Sequence, residues 1–487
     1  MRLIRLFAIA GLAVAAGMAC AYGAEQNAWP FWVGEKNAVG PVTAWQSLGP
    51  LIFKKTAGDY SAGGVRPFYV WEKDAGQNTR ASALYPLFVY RAGPNGSFWS
   101  VFSLINCARP RPGTPDKERS FDLWPFYFSR QTGEPASSYH ALFPVVGAVQ
   151  DRFFGMDESS WILFPLYGRF EKNHVVTTTA PWPFLRVTQG EGNHGFGLWP
   201  LFGWRAKDGA YHEQYYLWPF LFKNERALWS PQPEVKSGVL PFFYLEREPG
   251  SISKSYFWPF FGYTDRTAPY HYHETRYFWP ALVQGRGDDR YLNRWGPFYT
   301  HSIVKGRDKT WVLWPLWRQT CWDEAGLAQT KTTLLYFLYW SLTERSPAHP
   351  QWPPARRTSL WPLFTLWDNG AGRRQVQVPS PFEPYFPTNG SIRLVYNPLT
   401  AVYRYDRSAP GAVRQDFLFS FVTYQREPGR TEFHFGPFFK VQRAPEAARI
   451  SLLGGLLGLS RHSGGTGWHL FAFDFSPKAA ITQLTSR

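Results

Sequence analysis

The chain has 487 residues, a formal charge of +16 and a hydrophobic fraction of 44%, a balance that excludes a disordered polar chain. Aromatic residues reach 19%, with 24 Trp, 26 Tyr and 41 Phe, a composition suited to strands, packed cores and membrane-interface belts. Lys and Arg are scattered among turn-like segments such as Lys305-Gly306-Arg307-Asp308-Lys309, which leaves anionic lipid or polysaccharide open as contacts and gives no reason to expect nucleic acid.

Residues 1–24 read as a secretory signal peptide. Arg2 and Arg5 precede an apolar run from Leu6 to Ala19, and small residues lead to Glu25. The run is short for a membrane span of ~20 residues. Cleavage is expected near Gly23 or Ala24. A competing lipoprotein reading presents Cys20 for acylation, although Gly17-Met18-Ala19 lacks the usual Leu three places before the cysteine. The expected location is therefore export to the outer membrane, with the periplasm or a lipid anchor as alternatives. Cys107 and Cys321 remain after cleavage, and their pairing is open at this stage.

From residue 25 onward one pattern recurs: Trp-Pro followed, except for Ala281 in one copy, by two large apolar residues. Its positions are Trp124-Pro125, Trp182-Pro183, Trp199-Pro200, Trp218-Pro219, Trp258-Pro259, Trp279-Pro280, Trp314-Pro315 and Trp361-Pro362. Related prolines without Trp stand before them at Pro86 and between them at Pro144, Pro165, Pro241 and Pro297. The spacing averages ~19 residues, the signature of a tandem-repeat architecture. Val101-Phe102-Ser103-Leu104 and Phe417-Leu418-Phe419-Ser420-Phe421 read as degenerate copies.

Between copies stand turn formers, among them Lys207-Asp208-Gly209, Glu248-Pro249-Gly250 and Asp368-Asn369-Gly370. A proline in nearly every copy disfavours helix by ~3 kcal/mol. The pattern predicts an all-β antiparallel meander of roughly twenty or more strands from ~19-residue repeats, closed or barrel-like. Each repeat is expected to supply one extended segment with the proline at a mid-strand bend. Alternation then makes the middle of each segment apolar on both faces. The repeat region is assigned to residues 25–345. A Pro-rich connection follows at 346–357, then a degenerate continuation at 358–478 and a tail at 479–487.

The tandem Trp-Pro-[Leu/Phe]-[Phe/Tyr] pattern behind a leader resembles a group of bacterial envelope proteins to which no activity attaches. The economy of the repeat also resembles that of outer-membrane β-barrels, and Gly467-Trp468-His469-Leu470-Phe471-Ala472-Phe473-Asp474-Phe475 looks like a barrel's closing strand. The resemblance implies a non-enzymatic envelope protein with a passage or structural role. The alternative is a periplasmic or lipid-anchored scaffold binding polysaccharide or protein. An eight-residue apolar segment tilted by ~40° covers about 20 Å, short of the ~25 Å apolar band of such barrels.

Chemistry-bearing motifs are sparse. No nucleophile elbow, phosphate loop or zinc-protease motif is present, and no catalytic residue or cofactor site is assigned. His271 and His273, with Glu274 beside them, are two imidazoles that could begin a metal site but lack further ligands, so no metal site is assigned. Asp288 and Asp289 read as a turn. Trp311, Trp317 and Trp322 are candidates for stacking on sugars, with packing the simpler role.

Overall fold

The computed structural model describes residues 26–36, 42–111, 113, 118–153, 155–462, 465–470 and 473–474. The leader with Cys20 and the tail at 479–487 lie outside them. The described chain is all-β apart from short helical turns, and its 46 strands pair antiparallel, sequence neighbours lying side by side. Its described residues divide into two compact units, those of 95–336 and those before 95 together with those after 336.

The repeat builds the meander differently from the sequence expectation. Each ~19-residue copy supplies two strands, and its proline sits in the tight turn between them, not at a bend inside one strand. Strand Tyr211–Tyr216 runs into Leu217-Trp218-Pro219-Phe220 and returns as Leu221–Arg226. The Phe220 amide donates to the Leu217 carbonyl across this turn at 2.8 Å, and equivalent bonds close the turns at Phe126, Phe260 and Leu316. The Trp-Pro bond is cis at all eight positions named above. The degenerate copies stand in the same place, since Leu104 donates to Val101 and Phe421 to Leu418. Proline, which would break a ladder, is thus placed where no ladder bond is owed.

The other ends of the strands are joined by polar turns. Val304 pairs with Arg307 across a two-residue loop in which Lys305 and Gly306 both have positive φ, 49° and 72°. This is the hairpin turn whose twist matches the flanking strands, and glycine takes its second position without steric cost. Residues 346–354 form a longer loop of the same kind, between strands Tyr339–Arg345 and Ala355–Leu360. The glycine segment at 452–458 is also a turn, but at the Trp-Pro end, with Leu453 donating to the Phe438 carbonyl and Leu452 opposite Leu457.

Register separates the two faces. Next to the Trp-Pro turns, one face presents Phe202, Tyr216, Leu221, Val239, Phe243, Tyr256 and Phe261 in one cross-strand row. The next row, on the opposite face, alternates small and large side chains: Gly203, Tyr215, Phe222, Gly238, Tyr244, Ser255. The Tyr215 ring covers Gly203 and the Phe222 ring covers Gly238. The same row in residues 95–336 holds the core cluster Phe128, Ala141 and Trp161, with Val149 completing it. Further from the turns this covered face turns polar: Glu213 bridges Arg205 and Arg226, and Arg276 donates to Ser253, Ser255 and Thr264 and to the Tyr263 carbonyl. The mid-strand is therefore not apolar on both sides, because the segment read as one strand is two strands meeting at a turn.

In the other unit the covered face is closed by α1 (Gly390–Val395) and α2 (Asn397–Thr400). Asn389 caps α1 by accepting from the Ile392 amide at 3.1 Å. Val395 packs with Phe53, Ala62 and Val70. Tyr396 donates to the Tyr85 carbonyl, Asn27 to the Ser420 carbonyl at 2.7 Å, and Trp29 meets Phe421 edge-on at 5.0 Å.

Candidate functional site

The feature common to both units is the edge formed by the Trp-Pro turns. Trp124, Trp182, Trp218, Trp258, Trp279 and Trp314 are exposed there, with Phe126, Phe220, Phe242, Phe260 and Leu201 beside them. Trp199 is half-buried, stacking at a tilt with Trp218 and Phe184. Trp361 is also half-buried, its indole donating to the Pro381 carbonyl at 3.1 Å. Pro125, Pro183, Pro200, Pro219, Pro259, Pro280, Pro315 and Pro362 lie within the same turns.

The backbone of this edge is paired sideways, turn to turn. Trp218 donates to the Pro200 carbonyl, Leu240 to Phe220, Phe257 to Phe242 and Trp279 to Phe260, all at 2.7 to 2.9 Å; Gly49 to Pro30 and Ser380 to Pro362 do the same in the other unit. Proline has no N–H to satisfy. An apolar rim in which many amides and carbonyls are engaged with one another goes part of the way to the condition that lipid imposes on backbone groups. The apolar zone is shallow, however. It comprises the turn and the first strand row, about three residues or ~10 Å. The next row on the exposed face already contains Gln214, Lys223, Lys254 and Asn293.

The residues singled out as chemistry do not assemble into a site. His271 lies against Asp288 at 3.1 Å, while His273 pairs with Asp265, so the imidazoles serve separate carboxylates. Glu274 sits in the Arg276 network on the other face. The Asp288 carboxyl is held below its ordinary range by the His271 backbone N–H and then by its imidazole. Asp288 and Asp289 form a hairpin turn between Gly287 and Arg290. Among the described residues no group of three or more His, Cys, Asp or Glu could hold a metal ion. Cys107 and Cys321 are both free thiols. Trp311 stacks with Arg318 at 4.8 Å and Tyr336 at 5.6 Å, and Trp322 with Arg307 at 5.3 Å. Trp317 lies in the exposed-face row opposite Leu334. These three rings thus form no common platform.

Two recesses were not foreseen. One, of about 610 Å³, is bounded by Trp182, Trp199 and Trp218 with Arg186, Arg205 and Glu213. The other lies in the unit that holds α1 and is strongly basic. Neither has a sequence signal, because each is assembled from single residues of several hairpins. No family model matches the sequence, and no characterised protein shows significant similarity to it.

Proposed function

We propose that this is a non-enzymatic cell-envelope protein, an outer-membrane-associated β-body of barrel-like form with a structural or passage role, seated in lipid along its Trp-Pro edge. The observation that carries the reading is the ~10 Å apolar rim with its backbone groups paired laterally. That depth equals the 5–10 Å to which amphipathic elements enter the headgroup boundary, and is under half of the ~25 Å band of a spanning barrel. Trp and Phe at such a boundary bury their apolar rings while indole N–H groups stay in reach of water. Export by residues 1–24 and closure of the meander are parts of the same proposal.

Fractionation tests it. The protein should sediment with outer membranes, resist high salt and be released by detergent. Recovery in the periplasmic wash without detergent would sink the reading. It would leave the second one, a scaffold that binds polysaccharide, for which the recess with Trp182, Trp199 and Trp218 beside Arg186 and Arg205 is the supporting observation.

A further inference from the structure

The second recess, of about 720 Å³, belongs to the unit of residues 1–94 and 337–487 and is lined by Lys55, Arg66, Arg373, Arg393, Arg404 and Arg414 among others. Its acidic lining is Glu72, Asp406, Asp416 and Glu427. Each of those carboxylates has a partner of its own. Asp416, the cross-strand neighbour of Arg404, is held by Arg414 at 2.9 Å. Asp406 accepts from Gln375 at 3.0 Å, Glu427 from Gln425 at 2.9 Å and Glu72 from Tyr60 at 3.4 Å. Arg393 is taken by Glu383 outside the lining.

Arg66 is the anomaly. It is only 5% exposed. Its guanidinium lies 3.5 Å from the Phe53 ring centroid and donates to the Leu394 and Pro50 carbonyls, both at 2.7 Å. Every acceptor is neutral, and among the described residues no carboxylate stands within ion-pair distance. The charge that acts on it is a second cation, Arg404. Burial first, and Arg404 second, draw the Arg66 pKa down to about 9. A buried cation is costly unless an anion compensates it, and here the fold has instead added another positive group on the same face.

We propose that this recess binds a phosphate-bearing anion, with Arg66 and Arg404 as its two principal ligands and Lys55 and Arg373 adding charge. Guanidinium groups match phosphate oxygens with paired N–H bonds, and one phosphate entering between the arginines offsets the desolvation of Arg66 and the repulsion between the two. The shared chemistry fits a phospholipid headgroup or free phosphate. The inference is independent of whether the Trp-Pro edge meets lipid.

The test uses the full chain purified in a neutral detergent. One arm titrates inorganic phosphate calorimetrically. The other compares micelles doped with phosphatidylglycerol against micelles doped with phosphatidylcholine. Saturable binding in the first arm assigns free phosphate, and a preference for phosphatidylglycerol in the second assigns a headgroup; either supports the site. Arg66→Gln removes structural hydrogen bonds and can fail to fold, so Arg404→Gln is the deciding variant. It should weaken binding by about tenfold or more while leaving the ligand-free thermal midpoint unchanged or raised, because a like charge has been removed. Absence of saturable binding in both arms, or equal binding by Arg404→Gln and the parent protein, overturns the proposal.

Discussion

Replacing the residue after proline in four successive turns, Leu201→Ser, Phe220→Ser, Phe242→Ser and Phe260→Ser, removes grease from the edge without touching a ladder bond. These side chains are 51%, 53%, 61% and 40% exposed. With ~150–250 Å² per large side chain, each offers about 100 Å² for burial in lipid. Four such patches at ~25 cal/mol per Å² give an upper limit of about 10 kcal/mol. If a third of that area leaves water, the loss is about 3 kcal/mol, on the order of a hundredfold in partitioning. The assay is transfer of labelled protein from donor to acceptor vesicles, followed by flotation. The variant should transfer far faster than the parent, with an unchanged far-ultraviolet dichroism spectrum. Two polar-edge substitutions, Asp208→Ser and Lys305→Ser, should leave transfer as it was. A four-turn variant that stays on its donor vesicles as firmly as the parent would refute the reasoning.

Other consequences are confined to stability. Glu432 is 4% exposed; burial opposes its charge, but His434, Lys440, Arg430 and Gln442 outweigh it and hold its pKa near 2. Its folded-state pKa lies below the unfolded one, so its contribution is complete above pH ~4.5 and is lost as pH falls toward ~2, about 3 kcal/mol in all. Urea midpoints followed by Trp fluorescence should show that acid limb flattened in Glu432→Gln; identical slopes would count against it. Gly147→Ala would place Cβ 2.4 Å from the Ala141 Cβ and 2.6 Å from its Cα, and should cost about 1–3 kcal/mol in the same assay. Trp161→Ala empties the site between Phe143 and Phe153 and should cost about 3–5 kcal/mol; a loss under 1 kcal/mol would mean that this cluster is not a core.

The repeat, its period and its β character were legible because Trp-Pro and the Gly/Asp turns mark the chain so regularly. What misled was the assumption that a run such as Leu217-Trp218-Pro219-Phe220-Leu221 is a strand with a defect. Its apolar character pointed to burial, and burial pointed to mid-strand. The prolines had already signalled a turn, and the missing N–H at each copy is useful only at an edge. Period alone cannot separate one long strand per repeat from two short ones, since both return the Trp-Pro motif every ~19 residues. The basic recess was illegible for another reason. Arg66 and Arg404 line one recess only in the folded chain, where α1 brings the Leu394 carbonyl onto Arg66, and nothing in their local sequence marks either one.

Because every hairpin contacts chiefly the hairpins on either side, and each brings its own segment of rim, two dimensions of the molecule are governed by separate parts of the text. Copy number governs how far the rim extends; the six or so residues between turns govern how tall the wall stands above it. Gain or loss of whole copies by unequal recombination would therefore lengthen or shorten the wall while leaving its height unaltered.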